Sequence, residues 1–182
     1  MSTSRSRTRI TALSALICAS ALLASSPYAH ARAAAAGPPW ISIETPVNPY
    51  DATTRGAYLL VHAFHHGDPV AYPVSGTAEG IVNGQRKSIT LVFTATSRPG
   101  AYALRKQWGD VGVWELVITV KQAENDLAQA RVEIGADGAV SRVQVPTRVG
   151  ERNIPFPSLV SAQEIETALR ERAKLTVGQH KN

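Results

Sequence analysis

Between positions 40 and 145, apolar and polar residues alternate with a period of two, and turn-forming residues break the alternation about every eight to twelve positions. Each segment patterned in this way has one apolar side to bury. The expected fold class is all-β, an antiparallel sandwich. Strands are expected near 40–44, 57–64, 74–82, 85–95, 101–108, 113–120, 128–134 and 139–145.

The turns have identifiable chemistry. Asn83-Gly84 lies between two extended runs and suits a two-residue type I′ hairpin, since both residues tolerate positive φ. Gly135-Ala136-Asp137-Gly138 joins the last two runs, and Pro99-Gly100 matches a type II turn. Alternation then assigns the faces. Trp114, Leu116, Ile118 and Val120 share one side of their strand, whereas Glu115 and Thr119 point the other way with Val113 and Val117. Ile89, Leu91 and Phe93, and then Tyr102, Leu104 and Trp108, complete the expected core.

The two ends depart from this pattern. Arg5, Arg7 and Arg9 precede an apolar run over 10–24 that is too short and too interrupted by Ser and Thr to span a membrane, and Ala29-His30-Ala31 supplies a small-residue cleavage site. Residues 1–31 therefore read as a secretory signal peptide. The protein is expected in the periplasm or secreted, with no membrane span once mature. At the other end, Pro155 and Pro157 are expected to break extension. A short helix follows over 161–173, opened by a Ser161/Glu164 capping box and a Val160–Ile165 staple. Residues after Leu175 are expected to be disordered. The organisation is a leader at 1–31, a sandwich at 32–150, and a linker, helix and tail at 151–182.

Loss of the leader changes the charge argument. It removes three of the 19 Lys and Arg residues, which lowers the formal net charge from +5 to +2. No basic run remains beyond the pairs Arg86-Lys87 and Arg105-Lys106, so the electrostatic footprint of a nucleic-acid binder is missing. Cys18 and Met1 leave as well. The mature chain has neither a disulfide nor a thiolate ligand, and its core must hold it together.

The one clustered chemical motif is V-H-A-F-H-H-G-D-P-V, residues 61–70. On a regular strand His62 and His65 face opposite sides, and His62 and His66 stand about 13 Å apart, so the strand itself forms no chelate. The preferred reading is a strand running into a turn, with no cofactor. The alternative is a Zn or Cu(II) site at the turn, with His65, His66 and Asp68 as ligands. Glu44, Asp51 and Asp68 are the carboxylates that could pair as acid and base. Trp40, Tyr50, Tyr58 and Tyr72 are the aromatics that could line a glycan or peptide groove. No G-x-S-x-G, H-E-x-x-H or phosphate-loop motif occurs.

The run R-P-G-A-Y-A-L-R-K-Q-W-G-D-V-G-V-W-E-L-V-I-T-V and the upstream G-A-Y-L-L-V-H-A-F-H-H-G-D-P-V resemble secreted immunoglobulin-like modules of the YtkA-like and transthyretin-like type. The matching residues are Gly67, Pro69, Val70, Pro99, Gly100, Tyr102, Gly112, Trp114, Leu116 and Ile118. The resemblance implies an immunoglobulin-like sandwich of roughly seven or eight strands, and no activity comes with it. Copper-handling relatives use Met and His ligands, and the mature chain has no Met. The expected function is that of an exported, non-catalytic binding or accessory module. Loops 46–55 and 65–73, taken to share one end of the sandwich, would engage an envelope protein or polymer.

Overall fold

A computed structural model describes residues 37–150 and 153–179. The expected leader lies outside the described residues. Two five-stranded antiparallel sheets form the body of the fold. The first, sheet A, contains β1 (Trp40–Glu44), β2 (Leu59–His65), β3 (Asp68–Pro69), β6 (Phe93–Ala95) and β7 (Ala101–Leu104). Its order is β1-β2-β7-β6, with β3 paired to the end of β2. The second, sheet B, contains β4 (Val74–Val82), β5 (Gln85–Thr90), β8 (Val113–Lys121), β9 (Leu127–Ile134) and β10 (Val140–Gln144), in the order β10-β9-β8-β4-β5. A small ribbon of β11 (Thr147–Val149) and β12 (Pro155–Pro157) leads into α1 (Ala162–Gln179). The fold is an all-β sandwich with one C-terminal helix.

One core joins the sheets. Ile41, Leu59, Val61, Ala63 and Leu104 from sheet A meet Ala78, Leu116, Ile118, Val120, Ala130 and Val132 from sheet B. Leu91, Trp108 and Trp114 belong to it too, while Ile89, Phe93 and Tyr102 are half-buried against its rim. Trp114 requires a particular neighbour. Gly80 lies directly opposite on β4, and a Cβ there would come within 2.5 Å of the indole ring. The glycine makes room for the largest core side chain.

The expected turns form as their residues dictate. Asn83 and Gly84 both have positive φ, 51° and 77°, and close the β4–β5 hairpin. Gly100 has φ 68°, with the Ala101 amide donating to the Arg98 carbonyl at 3.2 Å across the turn between β6 and β7.

Among the described residues, twelve strands stand where roughly seven or eight were expected. The run 85–95 divides into β5 and β6, which belong to different sheets. Its alternation survives the crossing because both sheets face one core, and a period of two does not register which sheet a residue has joined. Pro155 and Pro157 were expected to end extension, yet they lie in β12. The flanking residues carry the hydrogen bonds: Gly150 N–H donates to Ile154 O and Ser158 N–H donates to Pro146 O, both at 2.9 Å. Proline is tolerated in such a short edge ribbon because its missing donor is not needed.

The helix starts at the expected capping box. The Glu164 amide donates to Ser161 Oγ at 3.1 Å, and the Ser161 amide donates to Glu164 Oε2 at 2.7 Å. It runs further than expected. The segment after Leu175, expected to be disordered, is helical through Gln179 even though Thr176, Val177 and Gly178 are poor helix formers. Leu169 is fully buried, and β8 is buried on both sides from Val113 to Ile118. Glu115, expected to point away from the core, does so and is nonetheless inaccessible to solvent, because α1 packs on this side of sheet B.

Candidate functional site

The histidine motif folds as a two-residue hairpin. His65 pairs with Asp68 and Phe64 with Pro69, leaving His66 and Gly67 at the corners with φ 53° and 92°. Two successive positive φ values are what a type I′ turn requires, and His is among the non-glycine residues that reach this region. The strand-into-turn reading therefore describes the backbone. His65 and His66 meet edge to face with ring centroids 4.4 Å apart, and His65 Nε2 lies 3.3 Å from the Gly37 carbonyl oxygen. Asp68 stands across the hairpin from His65 and is exposed. Among the described residues, no three His, Cys, Asp or Glu side chains are grouped so as to hold a metal ion.

His62 turns the other way, as strand parity demands. Residues 59, 61 and 63 of β2 enter the core, so Leu60, His62 and Phe64 face outward from sheet A. His62 Nε2 lies 2.9 Å from Glu44 Oε2, and the His62 and Phe64 rings are nearly parallel with centroids 6.1 Å apart. Trp40 of β1 is directly opposite Phe64 and is 36% exposed. Three rings thus share one outer surface, next to Ser42 and Glu44.

Arg98 extends this surface. From the β6–β7 turn its Nη2 reaches Glu44 Oε2 at 3.4 Å and Asp51 Oδ2 at 3.9 Å. Asp51 belongs to the β1–β2 connection and caps the short 3-10 turn Ala52–Thr54. The Thr53 hydroxyl and amide donate to its carboxylate at 2.6 and 2.9 Å, which holds the Asp51 carboxyl below its ordinary value, with the Arg98 charge acting in the same direction. His62, Glu44, Arg98 and Asp51 form a connected polar row, each member fixed by a neighbour before any ligand arrives. Such a row can recognise hydrogen-bonding groups without first ordering its own side chains.

Beyond the row, the outward residues of β7 and β6 are small: Ala101, Ala103 and Thr94. Ala103 and Thr94 floor a cleft of about 90 Å³ between β6 and the β1–β2 connection, walled by Thr53, Thr54, Arg55, Thr96 and Arg105. Arg105 Nη2 donates to the Arg55 carbonyl at 3.0 Å. Its guanidinium also occupies the space beside Gly56, where a Cβ would come within 2.7 Å of Nη1.

Several sequence expectations change here. Of the proposed groove aromatics, only Trp40 lies on this face. Tyr58 donates to the Gly138 carbonyl at 2.7 Å and packs edge-on against Trp108, while Tyr72 packs against the core and its carbonyl accepts from the Tyr102 hydroxyl. Tyr50 projects from the β1–β2 connection, 93% exposed. Glu44 and Asp51 meet through Arg98, but Asp68 is remote from them. Loops 46–55 and 65–73 do not share one end of the sandwich, because all of β2 runs between them. Sequence reasoning missed Phe64 and Arg98. Phe64 had a signal, two residues from His62 on one strand; Arg98 had none, since its reach depends on the β6–β7 turn.

The chain matches no family model, no curated protein and no solved structure.

Proposed function

We propose that this protein is an exported, non-catalytic binding module of the cell envelope, built on a YtkA-like or transthyretin-like plan, and that it engages an envelope component with the outer face of sheet A. One observation carries the reading. Sheet B is roofed by α1, whereas the outer face of sheet A presents Trp40, Phe64 and His62 beside a polar row whose members already hold one another. Aromatic side chains with rigid, partly accessible rings are favoured contact residues. The carboxylates act as hydrogen-bonding and pairing groups rather than as an acid and base.

Capture of envelope components by the purified protein tests this. Wild type and Lys87→Ala, on the far edge of sheet B, should retain the same component, and Trp40→Ala should lose it. Equal retention by all three proteins rejects the face. N-terminal sequencing of the exported form should begin at Arg32 or within a few residues of it.

A second reading has its own observation. The His65 and His66 rings approach to 4.4 Å at the hairpin tip, and a Zn or Cu(II) site there would need Asp68 to move in beside them.

A further inference from the structure

We infer that the ligand of the sheet A face is an anionic polysaccharide, lying diagonally from Trp40 to the cleft of Arg55 and Arg105; this rests on the function proposed above and names its ligand class. Charge complementarity is the first argument. The cleft wall holds two arginines, four threonines and no acidic side chain. Among the described residues neither Arg55 nor Arg105 has a carboxylate partner, whereas Arg98 is already neutralised by Glu44 and Asp51. The two carboxylates nearest the cleft are thus occupied, and the unpaired positive charge stands at its rim.

Rigidity is the second argument. Arg105 lies against the bare backbone of Gly56, whose φ of 78° disfavours a side chain, and its Nη2 is anchored to the Arg55 carbonyl at 3.0 Å. A fixed guanidinium binds a carboxylate in two-point geometry with little further loss of freedom. Threonine hydroxyls beside it are donors and acceptors at once, matching the alternating character of sugar hydroxyls.

Span is the third argument. Trp40 and the cleft lie at opposite corners of sheet A, three strand spacings and four residues apart, about 20 Å on the diagonal. The surface between them carries Ser42, His62 and Ala103, with Ala101 buried below it. A single sugar cannot touch both corners. An extended chain can, with one ring stacked on the Trp40 indole, hydroxyls along the Glu44–His62–Arg98 row, and an acidic group between Arg55 and Arg105.

The experiment uses the mature protein and three probes: a soluble oligogalacturonate, a neutral cello-oligosaccharide of equal length, and galacturonic acid monomer. Calorimetric titration should show the oligogalacturonate binding at least roughly tenfold more tightly than the other two, with an affinity that falls as salt rises. Arg55→Gln with Arg105→Gln should weaken the acidic oligomer about tenfold and leave the neutral one unchanged. Trp40→Ala should weaken the acidic oligomer while melting at the wild-type temperature. Equal binding of acidic and neutral oligomers that still depends on Trp40 overturns the anionic class and leaves the face intact. Trp40-dependent capture of an envelope protein, with no binding of either oligomer, overturns the polysaccharide and again leaves the face. Monomer binding as tight as the oligomer overturns the extended chain. Binding indifferent to Trp40 and to both arginines overturns this inference and the face together.

Discussion

Glu115 and Arg131 form a salt bridge whose carboxylate is wholly buried, with Arg131 Nε against Glu115 Oε1 and no hydrogen-bond partner for Oε2. Glu115 also lies directly opposite Glu79 on one side and Glu133 on the other, so three carboxylates cross three strands side by side. Like charges directly opposite oppose pairing. Arginines interleave to offset this: Arg86 meets Glu79 at 2.9 Å, Arg142 meets Glu133 at 3.9 Å, and Arg172 of α1 donates to the carbonyls of Trp114 and Ile134.

Removal of one partner from this buried pair should cost far more than removal of both. Arg131→Met leaves the Glu115 charge without its counterion and should destabilise by about 3 to 5 kcal/mol. Adding Glu115→Leu should recover most of that loss. Denaturant titration of the two variants decides the matter, and an unchanged midpoint for Arg131→Met would show that the pair contributes nothing.

Packing between Trp114 and Gly80 makes a second prediction. Trp114→Ala should destabilise by about 3 to 5 kcal/mol through lost burial and the cavity left behind. Gly80→Ala should also destabilise, because its new methyl group meets the indole ring and the two strands hold their register. Thermal melts should rank both below wild type.

Acid should loosen the start of α1. Hydrogen bonds from the Ser161 hydroxyl and amide lower the Glu164 pKa below 4.5. A carboxyl lowered in the folded state contributes stability that is complete above its unfolded value and is lost as pH falls through the lower folded value. Protection of the first α1 amides against hydrogen exchange should therefore decline below about pH 4.5. Ser161→Ala should flatten that decline, and identical profiles for the two proteins would contradict it.

The hairpin tip can be tested by titration at neutral pH with Zn(II) and Cu(II). A type I′ turn holding His66 at positive φ fixes the backbone, but of the three candidate ligands the two imidazoles alone are in contact with each other. Association should be weak, with a dissociation constant above about 1 μM. Tighter binding that disappears in the His65→Ala, His66→Ala double variant would establish the metal site.

Most strand positions and the turn chemistry were legible because they depend on local alternation and on residues such as Asn83, Gly84 and Gly100 that accept positive φ. Burial of the Trp114, Leu116, Ile118 and Val120 side followed from the same pattern. Burial of Glu115 did not, because it depends on α1 arriving from the far end of the chain. The candidate face was legible in pieces. Trp40, Glu44, Asp51 and His62 could each be singled out, but their meeting requires the β1–β2 register and an arginine donated by a distant turn. The histidine cluster was legible for the opposite reason: strand parity alone places His62 and His65 on opposite sides of one sheet.

The switch of sheets at Leu91 and Val92 gives the sandwich the mechanics of a bound book. β5 and β6 are edge strands of different sheets, joined by two residues of backbone, so that side is the spine. Edge strands β1 and β10 lie at the ends remote from it. Trp40 and Glu44 are on β1. A ligand gripping them holds the cover at its free margin, on the strand farthest from the spine.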